Sequence, residues 1–119
     1  MARNKGCRAL VLGLSVLATM VFSASSMARP VRCLIAGAGL NYRGKCDFTP
    51  SGGSFSISPI GRASFPGGVN PVSVAVVAPG VAEVRGLTRE GINSRWGEAR
   101  RSKRDPACWE GSDFRICAY

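Results

Sequence analysis

Ala107 to Tyr119 reads ACWEGSDFRICAY, directly after Pro106. A two-residue turn at Ser112-Asp113 sets Gly111 against Phe114, Glu110 against Arg115, Trp109 against Ile116 and Cys108 against Cys117. Strand side chains alternate between faces, so Trp109, Phe114 and Ile116 share an apolar face. Glu110, Arg115 and both cysteines take the other. Counted out from the turn, the cysteines fall at a non-hydrogen-bonded pair, where Cα atoms lie about 4.5 Å apart, within disulfide range. Ser-Asp is a weaker turn dipeptide than Asn-Gly, yet charge pair, apolar face and crosslink agree on one register. A β-hairpin therefore sets the fold class.

The segment from Cys33 to Cys46 takes the same treatment. A turn centred on Gly39-Leu40, glycine first as a type II′ turn wants, puts Cys33 opposite Cys46, again at a non-hydrogen-bonded position. Gly37-Ala38-Gly39 leaves the register weakly specified, so the disulfide is expected to fix it. The expected bridges are Cys33–Cys46 and Cys108–Cys117, each closing a loop of about 10–14 residues worth about 2.5–3 kcal/mol in the chain-entropy model. Spacing alone leaves three connectivities open, and crossed pairings gain slightly more loop entropy, but local contacts form faster during oxidation. A four-cysteine zinc site is the rival. Structural zinc sites bring cysteines in close pairs, whereas 12 and 8 residues intervene here.

Between the hairpins, Cys46–Thr49 and Gly53–Ile57 flank a Pro50-Ser51-Gly52-Gly53 turn, and Val72–Val77 and Val81–Val84 flank Pro79-Gly80. Arg62–Asn70, with Pro66-Gly67-Gly68, reads as loop. Thr88–Lys103 is the one candidate helix, and Gly91 and Gly97 argue against a long one. The expectation is an all-β domain, a small antiparallel sandwich or barrel of about six short strands stapled by two disulfides.

The chain has 119 residues, 16 basic and 7 acidic side chains, five cysteines and no histidine. Its start carries Arg3, Lys5 and Arg8, then an apolar run over Ala9–Phe22, then small residues through Ala28. That is the order of a secretory signal, and the apolar run spans only about 21 Å as a helix against about 30 Å of hydrocarbon. The reading is a signal peptide at 1–28, which discards Cys7, and a single domain at 29–119. The remaining four cysteines suit an oxidising compartment, periplasmic or extracellular. Residues 29–119 keep 13 Lys and Arg against 7 Asp and Glu, net +6. A domain this small excludes large nucleotide-binding folds and deep active-site cavities.

Gly39-Leu-Asn-Tyr-Arg-Gly44-Lys45-Cys46 comes one residue from a P-loop. Cys46 lacks the hydroxyl that magnesium needs, and no helix follows to present amides to phosphate. No nucleotide cofactor is expected. No histidine is present to activate a serine, no G-x-S-x-G occurs, and nothing selects a carboxylate pair for glycosidase work. No enzyme activity, cofactor or metal is expected. The one binding candidate is RWGEARRSKR, where Arg95, Arg100, Arg101, Lys103 and Arg104 surround Trp96. Such a stretch grips phosphate or carboxylate polymers, with the indole stacking on a base or sugar. The alternative is a solvated loop partly neutralised by Glu98 and Asp105. Trp109, Tyr42 and Phe48 read as core.

The spacing Cys33…Tyr42-x-Gly44-x-Cys46-x-Phe48, then Gly52-Gly53-Ser54-Phe55-Ser56-Ile57, Trp96, Ala107-Cys108-Trp109 and Arg115-Ile116-Cys117-Ala118, resembles a group of small exported proteins of Gram-negative bacteria. The resemblance covers both ends of 29–119 and little of 58–94. It implies an exported, disulfide-linked domain and assigns no site residues. A second likeness, at fold level only, is to periplasmic inhibitors of host lysozyme, some of which are small disulfide-linked β-barrels. Their short patterns are not recognisable here, and a +6 chain starts with repulsion from commonly basic lysozymes. The functional expectation is a non-enzymatic exported domain for an anionic polymer or envelope surface. The alternative is an inhibitor or accessory subunit of a protein partner.

Overall fold

A computed structural model describes residues 27–119 and Gly13. The segment expected to be removed, with Cys7, lies outside the described residues except at those few positions. Eight strands follow in chain order: β1 (Arg29–Gly37), β2 (Leu40–Ser51), β3 (Ser54–Pro59), β4 (Val72–Ala78), β5 (Val81–Leu87), β6 (Asn93–Arg101), β7 (Cys108–Glu110) and β8 (Phe114–Ala118). Each pairs antiparallel with the next, and β8 returns to β1, closing a barrel without edges. The domain is all-β with two disulfides.

An eight-stranded barrel has an interior just wide enough for side chains to fill. Alternation supplies them: Cys33 and Ile35 from β1, Phe55 and Ile57 from β3, Val72 and Val74 from β4, Ala82 and Val84 from β5, and Trp109 and Ile116 from β7 and β8 are all buried. Closure needs one close approach. Gly37, at φ +94°, leaves no room for a side chain against the backbone of Asp113 and Phe114 where β1 meets β8.

The C-terminal hairpin has the expected register, with Cys108 opposite Cys117, Trp109 opposite Ile116 and Glu110 opposite Arg115. Glu110 and Arg115 form an ion pair at 3.7 Å. The first hairpin keeps the expected disulfide but not the expected register. Gly37 pairs with Leu40 and Cys33 with Gly44, so the turn is Ala38-Gly39 and the Cys33–Cys46 bridge runs diagonally, with Cα atoms 6.0 Å apart. Ala38 and Gly39 both have positive φ, the pattern of a type I′ turn. The two-residue shift keeps every side chain on its face and moves Leu40 from the turn into the strand, where it is buried. Its burial selects the register.

The described residues make eight strands rather than about six, and Thr88–Lys103 is not a helix. It holds the β5–β6 loop, strand β6 and the start of the next loop. Gly97, at φ +127°, sits where the β5–β6 register shifts, between Val84 and Arg85. This β-bulge puts Trp96 and Ala99 on the same inner face three residues apart, a spacing that imitates a helix. The expected loop over Arg62–Asn70 is a loop, and it has a packing role. Phe65 turns inward, is 1% exposed and meets Tyr42 edge-to-face at 5.0 Å. It closes one end of the barrel.

Candidate anion-binding site

The two ends of the barrel differ. At the closed end lie Leu40, Tyr42, Phe65, Trp96 and Phe114, beneath loops carrying Arg62, Arg89, Glu90 and Asp113. At the other end the inward positions are Arg29 and Val31 from β1, Phe48 from β2, Phe55 from β3, Arg101 from β6, Trp109 from β7 and Ala118 from β8, and they line a cavity of about 190 Å³. Phe48 and Phe55 stack at 4.8 Å on its floor. The guanidinium of Arg29 lies 4.9 Å from the centre of the Phe48 ring, and that of Arg101 lies 4.9 Å from the centre of the Trp109 ring. Cation–π contact of this kind is worth about 0.5–1 kcal/mol where exposed, and it holds each guanidinium at the rim.

Beside this mouth runs the β6–β7 loop, carrying Lys103 and Arg104. Buried Ser102 accepts hydrogen bonds at Oγ from the amides of Arg104 and Asp105, both at 3.2 Å. Asp105 accepts from the Ala107 amide at 3.1 Å and from the Tyr119 hydroxyl at 2.8 Å. That bond to a carboxylate raises the Tyr119 pKa above its ordinary value. The loop is thus built by its own hydrogen bonds, and its one acid is engaged within it. Arg29, Arg101, Lys103 and Arg104 have no carboxylate partner among the described residues.

The structure divides the stretch read from sequence. Arg100, Arg101, Lys103 and Arg104 gather around one open groove with Glu110, which faces Arg115 in an ion pair. Arg95 lies apart, on the outer wall of β5–β6. There Glu83 accepts a hydrogen bond from Arg95 and lies 3.4 Å from Arg85, while Arg100 pairs with Glu98 at 3.3 Å. The Arg95 bond, with its charge, holds the Glu83 carboxyl below its usual range. Trp96 corrects the stacking reading. Its ring packs inward over Gly86 and meets Phe114 edge-to-face at 5.8 Å, at the closed end. Trp109, read as core, is 3% exposed and also forms part of the mouth.

Sequence reasoning missed Arg29, because its neighbours at the mouth come from distant strands. It also missed Arg32, Arg43 and Lys45 on the outer wall, where Arg32 stands directly opposite Lys45 across β1–β2. Their alternation in the two strands is the signal that could have found them.

The four half-cystines form two separate bridges, one inside the barrel and one in the outer wall under Arg115 and Tyr119. They leave no thiolate cluster for a metal, and no group of three metal-ligating side chains occurs among the described residues. Two disulfides fit an oxidising, extracytoplasmic environment. No protein-family model, curated protein or solved structure matches this chain.

Proposed function

We propose that this is a non-enzymatic exported domain, periplasmic or secreted, that binds an anionic partner at the open end of its barrel. The observation that carries the reading is the set Arg29, Arg101, Lys103 and Arg104 around one end, without carboxylate partners among the described residues, beside a loop whose single acid is already hydrogen-bonded. Charges held this way face an anion without first breaking an ion pair. The closed end carries two cations and two acids on its loops, so attraction of a polyanion is directional.

A DNA duplex serves as a stand-in polyanion. With four phosphate contacts, affinity falls about 10²-fold between 50 and 200 mM salt, from a slope of about −0.9 per contact. Replacing Arg101, Lys103 and Arg104 with glutamine flattens this slope. The same change at Arg85 and Arg95, which share Glu83 on the outer wall away from the mouth, leaves it nearly unaltered. Equal effects of the two variants would return the basic stretch to a solvated surface. The second reading, a protein partner, draws on Ile60 and Ile92, exposed on closed-end loops. Association there depends only weakly on salt.

A further inference from the structure

The mouth has features that general attraction to a polyanion does not require. Its two guanidiniums stand over an apolar floor of Val31, Phe48, Phe55, Trp109 and Ala118, and none of the residues lining it is acidic. From these features we infer that the cavity is a site for a small carboxylate with an apolar body, its head between Arg29 and Arg101 and its body on the aromatic floor. The inference rests on the anion-binding reading of this end and narrows it to one ligand class.

The chemistry follows from the parts. Guanidinium presents planar donor pairs that match a carboxylate, and it is weakly hydrated, so closing over an apolar ligand costs it less than it would an ammonium. Ring contact biases both guanidiniums toward the rim before the ligand arrives, and pre-organisation of this kind reduces the entropy lost on binding. A ligand cation finds no carboxylate among the lining side chains and meets two like charges over the rings it would otherwise use, and a neutral apolar molecule would leave both guanidiniums unanswered. Size sets the upper limit. The cavity of about 190 Å³ holds about six waters at about 30 Å³ each, and drug-sized ligands occupy about 300–1,000 Å³. The ligand is a short acyl or aryl carboxylate.

Octanoate is the probe, with octanol and octylammonium as controls and the disulfide-bonded protein purified after export as the sample. Trp109 lines the cavity while Trp96 lies at the other end, so ligand entry is read as a change in Trp109 emission that Trp109→Phe abolishes. The expected result is saturable binding of octanoate, at least tenfold weaker binding of both controls, and at least a tenfold loss of octanoate affinity in Arg101→Gln and separately in Arg29→Gln. Arg43→Gln, on the outer wall, leaves octanoate affinity unchanged. Circular dichroism and melting confirm that each variant is folded. Octanol binding as tightly as octanoate, or full octanoate affinity in both rim variants, overturns the inference. DNA binding that stays salt-dependent in a protein blind to octanoate overturns it as well, while leaving the broader anion-binding reading standing.

Discussion

Phe65→Ala removes the side chain that closes one end of the barrel. A phenylalanine buries about 150–250 Å², and truncating a fully buried one costs about 3–5 kcal/mol. Phe65 is 1% exposed and also gives up its edge-to-face contact with Tyr42, which points to the upper part of that range. It belongs to a loop, however, where Phe65 and Val69 form an isolated bridge and the Gly68 amide returns to the Phe65 carbonyl at 3.0 Å. Such a segment settles partly into the vacated space, so about 3 kcal/mol is expected. For a domain of this size each kcal/mol lowers Tm by about 4–8 °C, giving a drop of about 12–24 °C. Differential scanning calorimetry of the oxidised protein measures it, with urea unfolding as a second readout. A loss below about 1 kcal/mol would refute the plug and place the 60–71 loop on the surface. Octanoate affinity, read at the opposite end, should survive the substitution at temperatures where the variant is folded.

Three further outcomes follow from the same structure. The exported protein should begin at Arg29, since β1 starts there and Met27, two residues earlier, is 76% exposed; intact mass retaining Met1 in a secreted product would contradict this. Gly37→Ala should destabilise by more than 1 kcal/mol, because a positive-φ position costs an L side chain about 1–3 kcal/mol and the new methyl also strikes the backbone of Asp113 and Phe114; chemical denaturation reads it, and an unchanged midpoint refutes it. The Tyr119 phenol, donating to Asp105, should titrate above its ordinary value of about 10. Its contribution to stability is present in full below pH about 10 and lost as pH rises through the folded pKa. Asp105→Asn should lower that pKa, as followed by tyrosine NMR, and no change would rule out the hydrogen bond as its cause.

The C-terminal hairpin was legible because three independent constraints lie within thirteen residues and agree: Glu110 with Arg115, Cys108 with Cys117, and Trp109 with Ile116. The first hairpin offered one constraint, the disulfide, and a diagonal bridge satisfies it as well as a direct one. Its register depends on Leu40 reaching the core, which is tertiary information. Strand β6 was hidden by the Gly97 bulge, since an inserted residue breaks the alternation by which strands are recognised. Phe65 sits among proline and glycines, and local turn chemistry says nothing about which loop side chain a barrel end will accept. The contiguous cations were visible at the candidate site, but their division was not. Whether Arg101 points into the mouth while Arg100 meets Glu98 on the outer wall depends on strand phase after the bulge. Arg29 joins Arg101 only because β1 and β6 end at the same rim.

The open basic end is the central claim, and residue-resolved NMR of the oxidised protein titrated with a short anionic oligosaccharide tests it most directly. Amide shifts should concentrate at Arg29, Gly52, Gly53, Arg101, Lys103 and Arg104, and the Trp109 indole should move with them. Shifts concentrated at Arg32, Arg43 and Lys45 on the outer wall, or at Arg62 and Arg89 beside the Phe65 plug, would contradict the account.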